Sequence, residues 1–366
     1  MLVKELNLLN FRNYKEQKIK FCEGVNLIYG DNGQGKTNIA EAIFMFCSAK
    51  SHRTPREREM IFLDKDYSKI RLDFCDRQRS HTAEITLERD KPHKIKINGV
   101  ENIKNAELIG KFLAVMFSPE DFSFIKDGPS ERRKFLDIAI SQLKPAYFKK
   151  LSEYNRYLKS KILALKEPSY HDMIDLYNQR LAEIASDIME YRHNFIEILK
   201  PKIEKLNKEI TKKEEILRVE YQSVVPYTEN KEKRIKEIYK KLQKVKQREL
   251  IEKISLAGTH RDDLEFFLND LKLKDFGSQG QVRTAVLAIK LAQAEILRES
   301  YGEEPVLILD DILSELDAGR RRFLLNEIRG KQVIITGTDK ANFGKRKDTK
   351  LLYIKNGHLM QNEKGE

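Results

Sequence analysis

Gly30-Asp31-Asn32-Gly33-Gln34-Gly35-Lys36-Thr37, followed by Asn38, has the spacing GxxxxGK[ST]. Glycines at such intervals let successive backbone N–H groups turn inward around anionic oxygens. A helix beginning at Lys36 would add the partial positive charge of its N-terminus. In that setting Lys36 reaches the β- and γ-phosphates of a nucleotide, and the Thr37 hydroxyl binds Mg2+. Far downstream, the apolar run Val306 to Leu309 ends in Asp310-Asp311. A carboxylate at the end of a buried strand can meet the Mg2+ held by Thr37. Successive strand residues point to opposite sides, so the two acids divide the work. Asp310 takes the metal side, through water, and Asp311 orients the attacking water or accepts its proton. A second glycine-rich stretch, Gly277-Ser278-Gln279-Gly280-Gln281, lies about 240 residues after the first and carries no lysine of the GKT type. Read alone, it is either a second anion cradle or a simple helix start.

Positioning these residues requires strand, loop and helix in that order. Gly24 to Tyr29 reads as a strand, and Lys36 to about Ala49 as a helix of apolar periodicity. Lys18 to Phe21, Ile70 to Asp76, Thr82 to Arg89 and His93 to Ile97 have strand composition, with a turn at Asn98-Gly99. Val282, Ala285, Val286 and Ile289 fall at helical spacing behind the second glycine loop. Pro305 to Leu309 and Gln332 to Ile335 are apolar strands, separated by a helix over about Ala318 to Arg329. Between these ends, Ile174, Leu181, Ile188 and Phe195 repeat every seven residues, with Tyr177, Ile184 and Tyr191 between them. That seam predicts an amphipathic helix packed in an arm or small bundle, with Pro201 kinking or ending it. Ile216 to Val225 reads as a strand, Lys231 to Ile254 as a basic helix, and the tail from Gly357 as frayed. The expected division is 1–117 as one half of an α/β head, 118–254 as a helical insertion and 255–366 as the other half.

Charged residues make up 34% of the 366, with a formal net charge of +12, which favours a polyanionic partner, nucleic acid above all. The densest cations with interleaved tyrosines are Arg132, Arg133, Lys134, Lys149 and Lys150, which makes them the candidate DNA contacts, beside Lys240, Lys241, Lys244 and Lys246. Without a base-reading element, binding should depend on phosphates and fall steeply with salt. Cys22, Cys47 and Cys75 show no CxxC spacing, against a disulfide framework or a zinc site. No apolar run reaches the ~18–20 residues of a membrane span, and the N-terminal segment has no signal-peptide core. A reduced, cytoplasmic protein is expected.

Together the loop at Gly30, the GSQGQ stretch and Leu307-Ile308-Leu309-Asp310-Asp311-Ile312-Leu313-Ser314-Glu315-Leu316-Asp317 resemble an ATP-binding-cassette (ABC) ATPase head of the SMC-like DNA-repair branch. The RecF family is the nearest resemblance within that branch. Ser278-Gln279-Gly280-Gln281 matches the last four positions of an LSGGQ signature, with Gln279 for the first glycine of the pair. Ser278 to Thr284 has the RecF form, SQGQxRT, and Phe117 to Asp121 and Gly258 to Asp263 resemble its FSPED and GPHRDD stretches. Phe11-Arg12-Asn13-Tyr14 resembles the NFRNY stretch whose polar groups lie near the adenine, and Ser314 with Asp317 the loop after the acidic strand.

The resemblance implies ATP and Mg2+ as ligands, with Ser278, Gln279, Gly280 and Gln281 acting in trans across an ATP-closed homodimer and Asp317 at its seam. It also implies slow, DNA-stimulated hydrolysis, gapped or junction as well as double-stranded DNA as substrate, and RecR- and RecO-type mediators as partners. The superfamily's catalytic glutamate is Asp311 here. Its switch histidine is absent from Ile334 to Asp339, which leaves Thr336 or Thr338 for a γ-phosphate contact. The alternatives are a non-hydrolysing ATP-gated DNA clamp, a transporter-type subunit and a nuclease-linked ATPase. The long spacing between the two glycine loops argues against the transporter reading, and the absence of an acidic metal cluster after the head argues against the nuclease.

Overall fold

The computed structural model describes residues 1–212, 215–338 and 349–360. It divides into two units, Met1–Phe122 with Lys290–Glu366, and Ser123–Ile289.

The first unit is built on two sheets. One is antiparallel: β1 (Leu2–Phe11), β2 (Tyr14–Lys20), β4 (Tyr67–Cys75), β5 (Ser80–Glu88) and β6 (Lys91–Ile97), in the order β2-β1-β4-β5-β6. Its strands alternate buried and open positions, as β4 and β5 show residue by residue. The open face is laced by ion pairs between neighbouring strands, including Lys18–Glu5, Lys69–Glu84 and Lys94–Glu88. The second sheet contains β3 (Val25–Tyr29), β7 (Ala114–Phe117), β11 (Val306–Asp310), β12 (Val333–Gly337), β13 (Thr349–Lys355) and β14 (His358–Met360), in the order β14-β13-β3-β12-β11-β7. All its pairings are parallel except β13 with β14. β3, β7, β11 and β12 are buried at every position, which is why they read as continuous apolar runs. Helix Lys36–Ser48 contacts strands of both sheets and is buried at all but three of its positions, so its apolar residues run all the way round. β1 was not legible as a strand, and β14 continues the fold to Met360, where the sequence suggests a frayed tail.

The second unit is mainly helical. Helices Pro129–Leu143, Pro145–Lys166, Ile174–Thr211 and Lys231–Glu252 pack together, and a three-stranded sheet joins β8 (Leu217–Gln222), β9 (Asp263–Leu268) and β10 (Leu271–Lys272). The heptad positions Ile174, Leu181, Ile188 and Phe195 are buried, as the seam predicts. Pro201 does not end the helix, which runs on to Thr211. Leu199, Ile203 and Leu206 keep the buried seam across the proline. Their burial offsets the roughly 3 kcal/mol that an interior proline costs.

The unit boundaries also differ from the expected 117 and 254. Residues 118–122 fall in the first unit and 255–289 in the second. The reason is strand pairing: β9 takes β8 as its antiparallel neighbour, from Leu217 opposite Leu268 to Gln222 opposite Asp263. The GSQGQ stretch therefore belongs to the second unit, and the division falls within helix Gln279–Tyr301.

Candidate nucleotide site

β3 delivers the chain into the glycine loop at the carboxyl end of the parallel sheet, where ligands of such sheets bind. Gly30, Gly33 and Gly35 have φ of 150°, 77° and 107°. A Cβ on Gly30 would lie 2.2 Å from Ile354 O. On Gly35 it would lie 2.6 Å from the Asn13 amide and 2.8 Å from the Tyr14 hydroxyl. The cradle is closed to any side chain at these two points. Lys36 is 8% exposed, and its Nζ curls into the loop, donating to Gly30 O and Asp31 O at 2.8 Å each. Burial lowers its pKa, against the pull of Asp311, Asp31 and Asp310.

The register of β11 on β12 sets Asp310 directly opposite Thr336. The Thr336 hydroxyl donates to Asp310 Oδ1 at 2.6 Å and accepts the Asp311 N–H at 3.0 Å. The Thr37 hydroxyl donates to the same Oδ1 at 3.0 Å. Asp310 is 3% exposed. Burial raises its pKa, the two hydroxyls oppose that, and Glu120 and Asp311 add to it. Asp311 has left-handed backbone, φ 52°, and its carbonyl accepts the Ser314 hydroxyl at 2.7 Å. Thr336 is 1% exposed and bonded to both acids, so it is not a free contact for a γ-phosphate. Thr338 is exposed, and Asp339 lies outside the described residues.

Arg12 and Asn13 act on the loop and its helix. Arg12 makes a bidentate pair with Glu41, at 2.6 and 2.9 Å, and donates to Glu59 O. Burial works against ionising Glu41, but the bonds from Arg12 and Ser51 outweigh it and hold the carboxyl below its ordinary range. Asn13 donates to Gln34 O at 2.9 Å and accepts from Asn38 Nδ2 at 2.8 Å. Tyr14 donates to Gly35 O at 3.0 Å, and the Asn356 N–H donates to Gln34 Oε1 at 2.5 Å. Glu41 and Asn356 are the site residues that sequence reasoning missed, and the sequence suggests Thr336 only as a γ-phosphate contact, not as the partner of the two acids. Tyr14 enters the sequence reading only as the last residue of NFRNY, without its bond to the loop.

The GSQGQ stretch is a capping box. The Gln281 N–H donates to Ser278 Oγ at 3.2 Å, and the Ser278 N–H donates to Gln281 Oε1 at 3.0 Å. Ser278 and Gln279 are exposed, and Gly280 O accepts the Thr284 hydroxyl at 3.0 Å. Asp317 caps helix Ala318–Glu327, accepting the Arg320 N–H at 2.9 Å.

The candidate DNA contacts differ in how far they are engaged within their own unit. Arg132 is 4% exposed and clamps Asp263 through Nε and Nη2, while its Nη1 donates to Phe124 O, Ile125 O and Asp127 O. Arg133 donates to Asp262 O at 2.8 Å. Lys134 pairs with Glu131 and Lys150 with Asp187. Arg132, Lys134 and Lys150 thus meet acids of their own unit, Arg133 meets a backbone carbonyl, and Lys149 is exposed.

The chain matches the RecF/RecN/SMC N terminal domain over residues 2–359. A protein of Acetivibrio thermocellus named DNA replication and repair protein RecF is 42% identical over 361 residues, 97% of this chain and 98% of that one. One of the same name from Bacillus cytotoxicus is 38% identical over 365 residues, 98% of each. The chain belongs to the RecF family. The solved structure of the recombination mediator protein RecF-ATP in the RecFOR pathway superposes with a TM-score of 0.89 at 36% identity, covering 98% of both chains. An SMC head bound to the C-winged helix domain of ScpA superposes at 0.56 with 16% identity, a likeness of fold. Among the described residues no helix is long and apolar enough to cross a membrane.

Proposed function

We propose that this chain is an ATP-dependent DNA-binding protein of recombinational repair and replication-fork maintenance. ATP closes a homodimer on double-stranded or gapped DNA, and slow, DNA-stimulated hydrolysis reopens it, helping RecR- and RecO-type mediators load a recombinase. The observation that carries this reading is the convergence of the Thr37 and Thr336 hydroxyls on Asp310 Oδ1 beside the Lys36 loop.

The residues fit the groups they would hold. A loop closed to side chains at Gly30 and Gly35 suits phosphate oxygens, and a hydroxyl beside a buried carboxylate suits a hard cation with oxygen ligands. Mg2+, when bound, neutralises charge on the β- and γ-phosphate oxygens. Lys36 exchanges its two loop carbonyls for those oxygens. Thr37 and Asp310 are the residues that would hold the metal, the hydroxyl on one side and the carboxylate on the other. Asp311, turned by its left-handed backbone, orients the attacking water and takes its proton. Ser278, Gln279, Gly280 and Gln281 of a second copy close on the γ-phosphate, with Ser314 and Asp317 at the seam. These contacts exist only in the closed dimer, so ATP favours it by differential binding.

Sedimentation with ATP and Mg2+ tests the switch. Wild type and Asp311→Asn should both dimerise, the variant more persistently, and phosphate release stimulated by duplex or gapped DNA should vanish in the variant. Persistently monomeric protein in both would overturn the dimer switch, and dimerisation without Asp311-dependent phosphate release would make the chain a non-hydrolysing clamp.

A further inference from the structure

Helix Lys231–Glu252 carries a second basic surface, beside the first candidate group, in which Arg132 and Arg133 are bonded internally and Lys134 and Lys150 are paired at the surface. Its buried side is fixed by Arg234, Ile238, Leu242 and Glu249. Glu249 meets Lys161 at 2.7 Å with both side chains fully enclosed, and Arg234 packs against Tyr227 while donating to Ser186 and the carbonyls of Thr228 and Glu229. The ion pairs of its other cations are Lys231 with Asp187, Lys240 with Glu237, Lys246 with Asp175 and Arg248 with Glu252. Lys233, Lys236, Lys241 and Lys244 are exposed and stand outside these pairs. The neighbouring helix Ile174–Thr211 contrasts with this, because its Lys200, Lys205 and Lys208 each meet a glutamate on the same helix.

At 1.5 Å rise per residue, the row from Lys233 to Lys244 extends about 16 Å, with a cation every ~5 Å. Duplex DNA presents one charge per ~1.7 Å of axis, so such a row can meet several phosphates in succession. Between Lys233 and Arg248 the helix exposes no large apolar side chain, the kind of anchor that a protein partner would use. We infer that the exposed lysine row Lys233, Lys236, Lys241 and Lys244 tracks the phosphates of duplex DNA without reading bases. This inference rests on the DNA-binding function proposed above.

The test is the salt dependence of duplex affinity for the full chain with ATP and Mg2+. Each lost phosphate contact lowers the slope of log affinity against log salt by about 0.9. The variant with all four lysines changed to Gln should bind duplex DNA more weakly with a slope shallower by about 3.6 per chain, while its ATP affinity and Tm stay at wild-type values. A control that removes the same charge from the antiparallel sheet, Lys4, Lys18, Lys69 and Lys94→Gln, should keep the wild-type slope. An unchanged slope in the first variant, or an equal loss in the control, overturns the lysine row while leaving DNA binding intact. Wild-type protein that binds no DNA at all overturns the DNA reading itself.

Discussion

The hydroxyl of Thr336 touches both acids of the site, donating to Asp310 Oδ1 and accepting from the Asp311 backbone. It lowers the cost of ionising a buried carboxylate, and it fixes the turn that aims the next one. Valine keeps the β-branched shape and strand preference at this position but removes both bonds. Thr336→Val should therefore cost about tenfold in kcat, on the order of 1.5 kcal/mol for a bond to a charged group. Without its donor Asp310 becomes harder to ionise, so the Mg2+ requirement should rise and the acid limb of the rate profile should move to higher pH. Thr336→Ser should restore both, and nucleotide affinity without metal should stay near wild type. An activity loss with no change in metal or pH dependence would reduce Thr336 to a packing residue.

Among the elements, the capping box at Ser278 has a plain local role and a proposed distant one. Both of its reciprocal bonds are made within one chain. Ser278→Ala should therefore cost the helix start about 1 kcal/mol. Ser278→Arg should spare ATP binding by the monomer but abolish ATP-driven dimerisation, which sedimentation reads directly. Loss of nucleotide binding in the monomer would return the stretch to a cradle in its own right. What the sequence made legible here followed burial. β3, β11 and β12 are enclosed on both faces and read as apolar runs, and the heptad seam of helix Ile174–Thr211 is buried position by position. The misses came from partners set by tertiary structure. The placement of Arg132 depends on Asp263, 131 residues away, and that of Thr336 depends on strand register, which no local pattern encodes. Pro201 misled because propensity is local while the burial that overrides it is not.

Across the molecule, charge is managed differently in the two units. The first laces the open face of its antiparallel sheet with ion pairs, whereas the second buries a network around residues 255–263. Arg192, 1% exposed, donates to Asp262, Asp137, Tyr147 and Thr259 O. His260 lies in the same network, with its Nδ1 2.8 Å from the Tyr154 hydroxyl, and burial pushes its imidazole down to about 4. Because this value lies below the ordinary 6.5, the stability it carries is complete above about pH 6.5 and is lost as pH falls toward 4. The loss is on the order of 3 kcal/mol. Chemical denaturation of wild type and His260→Gln across that window should show the stability gap closing as pH falls. A constant gap would mean that the imidazole does not titrate with folding.

The order β13-β3-β12 in the mainly parallel sheet has a consequence for synthesis. β3 carries the nucleotide loop and leaves the ribosome early, yet both of its neighbours come from beyond residue 330. Until then the apolar run Val25–Tyr29 has no partner in the sheet, and the nascent chain must be kept from aggregating. The same arrangement acts as proofreading. A chain cut short before β12 has no assembled cradle, so an incomplete product should not compete for ATP with the finished protein.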